Sequence, residues 1–258
     1  DLNATSVSIS GVLIATTGTF GGDGSDGAFT VSAGTTTYNA ASGNTFTKNY
    51  SSISITGTAD IALSSPATKG TALILKSQGA VTITSTTSPA IDLSSDGATG
   101  GSTNGQAGTK SYGTIIIPTG GSGGNTTDDD NTTAQTGGTG NTDVDSTIAL
   151  TSRVIPIFTG AGGGAGAKGV SDATQADNGA GGRAGGAIYI ECAGALNKTS
   201  SLSVAGGAGT NAGTNGTGTW AGSGGGGGGG GGCIVVLYDT LTASSGTNTI
   251  SGGAGGDG

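Results

Sequence analysis

The 258-residue sequence contains no histidine and no methionine, and it has one glutamate and one tryptophan. Without histidine the chain cannot build a Ser-His-Asp triad, a Cys-His pair or a histidine-ligated zinc site. The missing methionine includes the initiator, which is expected of a processed, secreted chain or of a fragment. We therefore predict a protein that is not an enzyme and that carries no cofactor and no metal.

Positive charge and long apolar runs are also scarce. The chain has eight basic and sixteen acidic residues, and the basic residues are not clustered in any stretch. Because phosphate backbones are bound by clustered lysine and arginine, we predict no nucleic-acid partner. The longest clean apolar stretch, Cys233–Tyr238, is far shorter than the ~20 residues that cross a bilayer, so we predict no membrane insertion. With only 9% charged residues, the surface has little electrostatic protection against self-association.

Glycine dominates what is present, with 58 of 258 residues, and serine and threonine are also abundant. Short runs of β-branched residues alternate with serine and threonine, which is the period-two pattern of half-buried strands. We predict an all-β fold with strands at Ser6–Ser10, Val12–Thr16, Phe29–Ser32, Ile53–Thr56, Ile61–Leu63, Leu73–Leu75, Val81–Thr84, Ile91–Leu93, Thr114–Ile117, Thr147–Leu150, Arg153–Phe158, Ala187–Glu191, Leu202–Val204, Ile234–Tyr238 and Thr249–Ser251.

The spacing of these strands suggests repetition. Ile53 and Leu73 are 20 residues apart, as are Ile61 and Val81, which is compatible with the coils of a β-solenoid. A β-sandwich would give similar strand spacing, so both architectures stay open.

A clearer repeat lies in the second half of the chain. The segment beginning at Gly185 aligns without a gap on the segment beginning at Gly231, an offset of 46 residues that places Ile188 on Ile234 and Val204 on Ile250. Each unit reads as an apolar strand, a polar connection, a second strand and a glycine tract. We expect such units to stack, because one unit cannot bury its own apolar face.

Three glycine tracts follow apolar strands, at Gly160–Gly186, Gly206–Gly232 and Gly252–Gly258, and Gly224–Gly232 is an unbroken run of nine glycines. One hypothesis is a flexible linker. The other is a packed array of polyglycine II helices, in which lateral hydrogen bonds offset the large entropy cost of ordering glycine.

The two cysteines, Cys192 and Cys233, predict a single disulfide in an oxidising compartment, with two inert thiols as the alternative. The repeat alignment places Cys233 on Ala187, which lies on the opposite strand face from Cys192. A bridge therefore requires that the strands bulge or pair differently.

Three sequence segments resemble parts of glycine-rich surface proteins and bacteriophage tail proteins. These segments are Gly21–Thr36, Lys48–Ile61 and Gly224–Gly256. Adhesins at some phage tail tips carry packed polyglycine-helix domains. The resemblance implies a surface-exposed structural or adhesive role and transfers no site residues.

Carboxylates are the remaining catalytic option. Asp128, Asp129, Asp130 and Asp143 lie in a polar stretch that suits a solvated loop, a calcium-stabilised loop or a polysaccharide-active β-solenoid, although the histidine and basic motifs of such hydrolases are absent. In the same stretch, Asn125 and Asn131 are the best glycosylation candidates among six sequons.

We predict three parts of the chain: a strand segment at 1–20, a β-rich domain at 21–158 with a polar loop at 94–146, and a glycine-rich repeat region at 159–258. The first part alternates as Thr5, Val7, Ile9, Val12 and Ile14. It is either the first strand of its own domain or a strand that completes the sheet of a neighbouring subunit.

The favoured function is a self-assembling subunit of an extracellular filament or cell-surface appendage. The alternatives are a phage tail fibre or tail-tip adhesin that binds a cell-surface or glycan receptor, and the polysaccharide-active β-solenoid.

Overall fold

The computed structural model describes residues 20–41, 43–102, 157–166, 178–212 and 224–257, and the backbone alone of 6–9 and 12–15. Within these ranges the chain is strand-rich and contains no helix, so the all-β prediction is confirmed. It follows that no described helix could cross a membrane. The strands are β1 Ser6–Ile9, β2 Val12–Ala15, β3 Ala28–Asn39, β4 Thr45–Tyr50, β5 Ser52–Ser64, β6 Lys69–Gly70, β7 Ala72–Ser77, β8 Val81–Ile83, β9 Ile91–Asp92, β10 Gly97–Ala98, β11 Ala187–Lys198, β12 Leu202–Ser203 and β13 Cys233–Ser244.

Nine of these strands form one sheet in which every pairing is parallel. The pairings fall into three rows of strands, which we call ladders. The first ladder is β4, β7, β11 and β13. The second ladder consists of the first residues of β3 and β5, the whole of β8, and the last residues of β11 and β13. The third joins the ends of β3 and β5 to β9, β12 and Thr249. Two antiparallel pairs, β1 with β2 and β6 with β10, lie outside this sheet.

The chain passes through the ladders at five successive levels, at 28–39, 45–64, 72–92, 187–203 and 233–249. The 46-residue offset of the repeat is seen where Ile188 pairs with Ile234 and Ser203 with Thr249, but it falls to 45 at Ala195 and Leu196, where the pairing of β11 with β13 shifts register. The prediction that strands stack at a repeat of 20 residues is wrong. Ile53 pairs with Val81, and Ile61 pairs with Ile91. The connections between strands differ in length, so the spacing in sequence is longer than 20 and varies along the chain.

One apolar core lies between the three ladders. The first ladder contributes Leu73, Leu75, Ile188 and Ile190, and the other two contribute Ile53, Ile55, Ile61, Val81, Ile83, Ile91, Leu93, Leu196, Leu202 and Val204. Their alternation along each strand is the pattern from which the strands were predicted. At ~25 cal/mol per Å² of apolar surface, burial of these branched side chains is the main force that holds the ladders together.

Predicted strands at 114–117 and 147–150, and most of 153–158, lie outside the described residues. The remaining predicted strands overlap observed ones, but Ile53–Thr56 and Ile61–Leu63 are parts of the single strand β5, and Thr249–Ser251 contributes one bridge through Thr249. The pairing of β7 and β8 with β11 joins the 21–158 and 159–258 parts of the chain in one sheet.

Candidate functional site

The glycine-rich segments form an ordered array of six extended tracts, at 97–101, 160–166, 179–185, 204–212, 224–232 and 251–257. Backbone hydrogen bonds join the tracts at every third residue. For example, the amides of Gly160, Gly163 and Gly166 donate to the carbonyls of Gly185, Gly182 and Gly179 at 2.8–2.9 Å. The bonds place the tracts in two rows of three, with both parallel and antiparallel neighbours. Lateral bonding of this density offsets the entropy lost by ordering glycine.

The tract at 224–232 is bonded to four others. Its amides donate to 204–212 and 160–166, and its carbonyls accept from 179–185 and 251–257. This close approach requires glycine: a Cβ on Gly226 would overlap the carbonyl oxygen of Ala180, and one on Gly229 that of Arg183.

One end of the array adjoins the ladders, and the chain leaves the other end at 102, 166, 212 and 257. The connections 103–156, 167–177 and 213–223 therefore all begin at this far end. Insertions of very different length are compatible with one array because they all leave from its far side.

The last level of the ladders is open. Among the described strands, β13 pairs only with β11. Tyr238, Leu241 and Ile250 are 44%, 44% and 59% exposed, although the residues one level below them, such as Cys192 and Leu196, are buried. These three exposed apolar side chains mark the last level, and we call this end of the ladders the tail end.

The first level presents a different surface, which we call the head end. Phe29 stacks on Tyr50 with ring centroids 5.1 Å apart, and Tyr38 stacks on Phe46 at 5.0 Å. The Tyr38 and Tyr50 hydroxyls are 2.7 Å apart and hydrogen-bonded, and burial raises the pKa of both. Within the described residues, β3 pairs only with β5 and β4 only with β7. The head end is thus aromatic, and among the described residues no strand pairs with the outer edges of β3 and β4.

Residues 20–27 run outside the first ladder and link three levels. We call this segment the clasp. The Gly21 amide donates to Glu191 Oε1 at 2.8 Å, the Gln78 side chain donates to the Gly22 carbonyl at 3.5 Å, and Asp26 bonds the Asn49 backbone. Glu191 is buried and is 3.1 Å from Lys76 Nζ. A buried carboxylate needs such partners, so the clasp is held by charge as well as by hydrogen bonds.

Two half-buried charged side chains, Asp96 and Arg183, lie where the array meets the ladders. Burial raises the pKa of Asp96 to about 7, the positive charge of Arg183 opposes that rise, and Asp92 adds to it. The Arg183 guanidinium donates to the carbonyls of Pro66 and Ala67 at 3.1 and 2.7 Å. It thereby ties the tract at 179–185 to the connection that follows β5.

Both cysteines are free thiols in the structure. Cys233 pairs with Ala187, as the repeat alignment predicted, and its sulfur accepts a hydrogen bond from the Phe158 amide at 3.2 Å. Cys192 is buried and pairs with Tyr238. Burial raises the pKa of each thiol, which keeps both in the unreactive protonated form.

The other predicted site residues are not brought together here. Asn125, Asn131, Asp128–Asp130 and Asp143 lie outside the described residues. In the part of the chain that the structure describes, no group of three or more cysteine, aspartate or glutamate side chains could hold a metal ion.

Sequence reasoning missed β4, the head-end aromatic cluster and the buried Glu191. A signal for β4 existed in the alternation of Thr45, Phe46, Thr47 and Lys48. Glu191 could have been singled out as the sole glutamate of the chain, in an apolar strand.

No known protein family, no curated protein and no solved structure matches this chain.

Proposed function

We propose that the protein is a non-catalytic structural subunit that assembles with copies of itself, end to end, into an extracellular or surface-attached filament. In this proposal the three ladders are a β-solenoid, and the glycine array beside them is a bundle of polyglycine II helices. The parallel pairing at five levels supports the first description, and the three-residue hydrogen-bond period supports the second.

The observation that carries the proposal is the pair of unlike open ends. The tail end exposes Tyr238, Leu241 and Ile250, and the head end presents partly buried aromatic rings. Unpaired strand edges beside apolar side chains favour the addition of further strands. Because the two ends differ, their contact is head to tail, and a contact of that kind that does not close into a ring continues indefinitely. The low content of charged residues, 9%, favours the same outcome.

Charge placed at the tail end tests this proposal. The double variant Leu241→Asp/Ile250→Asp should remain folded, since both side chains are largely exposed, but it should no longer form filaments, because assembly would bury two unpaired carboxylates. The matched control, Thr242→Asp/Thr247→Asp, adds the same charge at exposed neighbouring positions.

Filament content is measured by sedimentation and negative-stain microscopy, and folding by circular dichroism. Long homopolymers of the wild type and of the control, with a folded monomer of the tail-end variant, support the proposal. A wild type that stays monomeric at high concentration, or a tail-end variant that polymerises normally, contradicts it.

The second candidate function is a phage tail fibre or tail-tip adhesin. The observation that favours it is the far end of the array, where three tracts end at residues 102, 166 and 212, as suits a surface that carries receptor-binding loops. Discrete trimeric spikes under the microscope, together with binding to a cell-surface glycan, would favour this function over the filament.

A further inference from the structure

Within the described residues, the first level has one strand fewer than the levels that follow it. Levels 2 to 5 each contribute to the first ladder, through β4, β7, β11 and β13, but level 1 consists of β3, which enters only the second and third ladders. Among the described residues, the outer edge of β4 therefore has no partner strand. The tail end has a matching open edge at β13.

The free groups on β4 can be assigned. The Asn49 amide and carbonyl both point away from β7, because they bond Asp26 in the clasp. Backbone groups alternate along a strand, so those of Thr45 and Thr47 also face the open edge. Asp26 occupies the edge at Asn49, which leaves Thr45–Lys48 for a short strand of about four residues.

The clasp determines where the preceding chain begins. Gly21 is bonded to Glu191 at level 4, and the clasp then runs to level 2. The chain before residue 20 therefore starts beside the fourth level, near the tail end. Six peptide steps separate Ala15 from Gly21 and span up to ~20 Å. The position beyond level 5 is two strand spacings away, about 10 Å.

The segment 6–15, which we call the arm, has the sequence of the ladder strands. Ser6–Gly11 reads Ser-Val-Ser-Ile-Ser-Gly and Ser52–Gly57 reads Ser-Ile-Ser-Ile-Thr-Gly. Leu13-Ile14 in β2 repeats Leu73-Ile74 of the first ladder. Yet β1 and β2 pair only with each other and add no strand to the nine-stranded sheet. The described strands of the arm, β1 and β2, are thus ladder-type strands without a place in the described ladders of their own chain.

We propose that β2 of one copy, Val12–Ala15, gives up its pairing with β1 and fills the missing first-ladder position between its own β13 and β4 of the next copy, where it pairs with the free Thr45–Lys48 edge. This inference rests on the proposed head-to-tail assembly and names the segment that joins the copies. Main-chain hydrogen bonds hold the joint, and the four-residue edge sets its register.

Two complementary variants test the joint. The arm-deleted chain, lacking residues 1–19, can accept an arm but cannot donate one. The edge-blocked chain, Thr47→Pro, can donate but cannot accept, because proline has no N–H on the open edge, while the bonds to β7 come from other residues. Each variant alone should be a folded monomer, and an equimolar mixture should form a 1:1 heterodimer and nothing longer.

Light scattering after gel filtration measures these masses, and circular dichroism confirms folding. The arm-deleted chain should also bind a synthetic peptide of residues 1–19, and the same deletion carrying Thr47→Pro should not. If Thr47→Pro fails to fold, Thr45→Pro replaces it. Filaments of the arm-deleted chain, or a folded arm-deleted chain that binds neither the peptide nor the edge-blocked chain, would overturn the inference.

The two proposals fail separately. Normal filaments of the arm-deleted chain leave the end-to-end assembly standing and remove only the role of the arm. A wild type that never polymerises removes the filament, and peptide binding to the arm-deleted chain still decides whether the β4 edge accepts the arm.

Discussion

Neighbouring glycines of the array differ in what a side chain would meet. In the nine-glycine run, a Cβ on Gly226 would overlap the Ala180 carbonyl, whereas one on Gly227 would lie 3.4 Å from the nearest atom, the Gly164 amide nitrogen. The requirement for glycine is therefore specific to positions where a Cβ would overlap a neighbouring backbone.

Alanine should lower the stability of the protein at Gly226 and leave it nearly unchanged at Gly227. Gly226→Ala should destabilise the protein by about 2 kcal/mol or more, because two tracts must move apart. Gly227→Ala should lie within about 1 kcal/mol of wild type, since it restricts the unfolded chain without a clash. Urea unfolding midpoints measure both, and equal effects of the two substitutions would contradict the packed array.

Asp96 makes stability depend on pH. Its folded pKa of about 7 lies above the usual value near 4, so between these values the folded state keeps a proton that the unfolded state has released. The unfolded state binds fewer protons there, and stability must fall as pH rises from about 4 to about 7.

Asp96→Asn should remove this loss. We expect the variant to gain on the order of 1–2 kcal/mol over wild type between pH 4 and pH 8, an amount that allows for partial solvent screening. Unfolding free energies at the two pH values measure the gain. Asp60→Asn, which changes a carboxylate that is hydrogen-bonded to Thr35 near the surface, is the control. A pH dependence that is the same in Asp96→Asn and wild type would show that this carboxylate is not the cause.

At the scale of the element, the array differs from a linker and from a β-sheet in the period of its hydrogen bonds. Along 224–232, the amides of Gly226, Gly229 and Gly232 donate to one neighbouring tract, and those of Gly227 and Gly230 donate to another. Among the described residues, no acceptor is bonded to the amides of Gly225, Gly228 and Gly231.

Amide hydrogen exchange should therefore show a period of three along this run. Gly226, Gly227, Gly229 and Gly230 should be protected, while Gly225, Gly228 and Gly231 should exchange much faster. Amide-resolved nuclear magnetic resonance of the folded protein measures the rates. Uniformly fast exchange would indicate a linker, and protection that alternates every second residue would indicate a strand.

At the scale of the whole molecule, end-to-end assembly couples stability to concentration. If contact between head and tail buries Leu241 and Ile250, the folded state is stabilised by mass action as the protein concentration rises. The melting temperature of the wild type should increase with concentration, by several degrees over a hundredfold range. That of Leu241→Asp/Ile250→Asp should stay constant. Scanning calorimetry over that range measures both, and a wild-type melting temperature independent of concentration would argue against assembly.

Much of the architecture was determined by sequence alone. Alternation of β-branched residues with serine and threonine located most of the strands, because side chains on a strand point to opposite faces in turn. The repeat at an offset of 46 predicted the pairing of Ile188 with Ile234, since no insertion or deletion separates the two units. The lack of histidine excluded whole classes of chemistry.

Only the tertiary structure decided how the other levels pair. Thr45 pairs with Ala72, 27 residues later, while Ala72 pairs with Ala187, 115 residues later. The local alternation of side chains shows that a strand exists. Its partner across a long connection depends on which pairing places the apolar side chains of both strands in the common core. The neighbours within the glycine array were equally hidden, because glycine has no side chain that could carry a pattern. The place of Glu191 beneath the clasp was also decided in three dimensions, since its partners come from segments 115 and 170 residues away, Lys76 and Gly21.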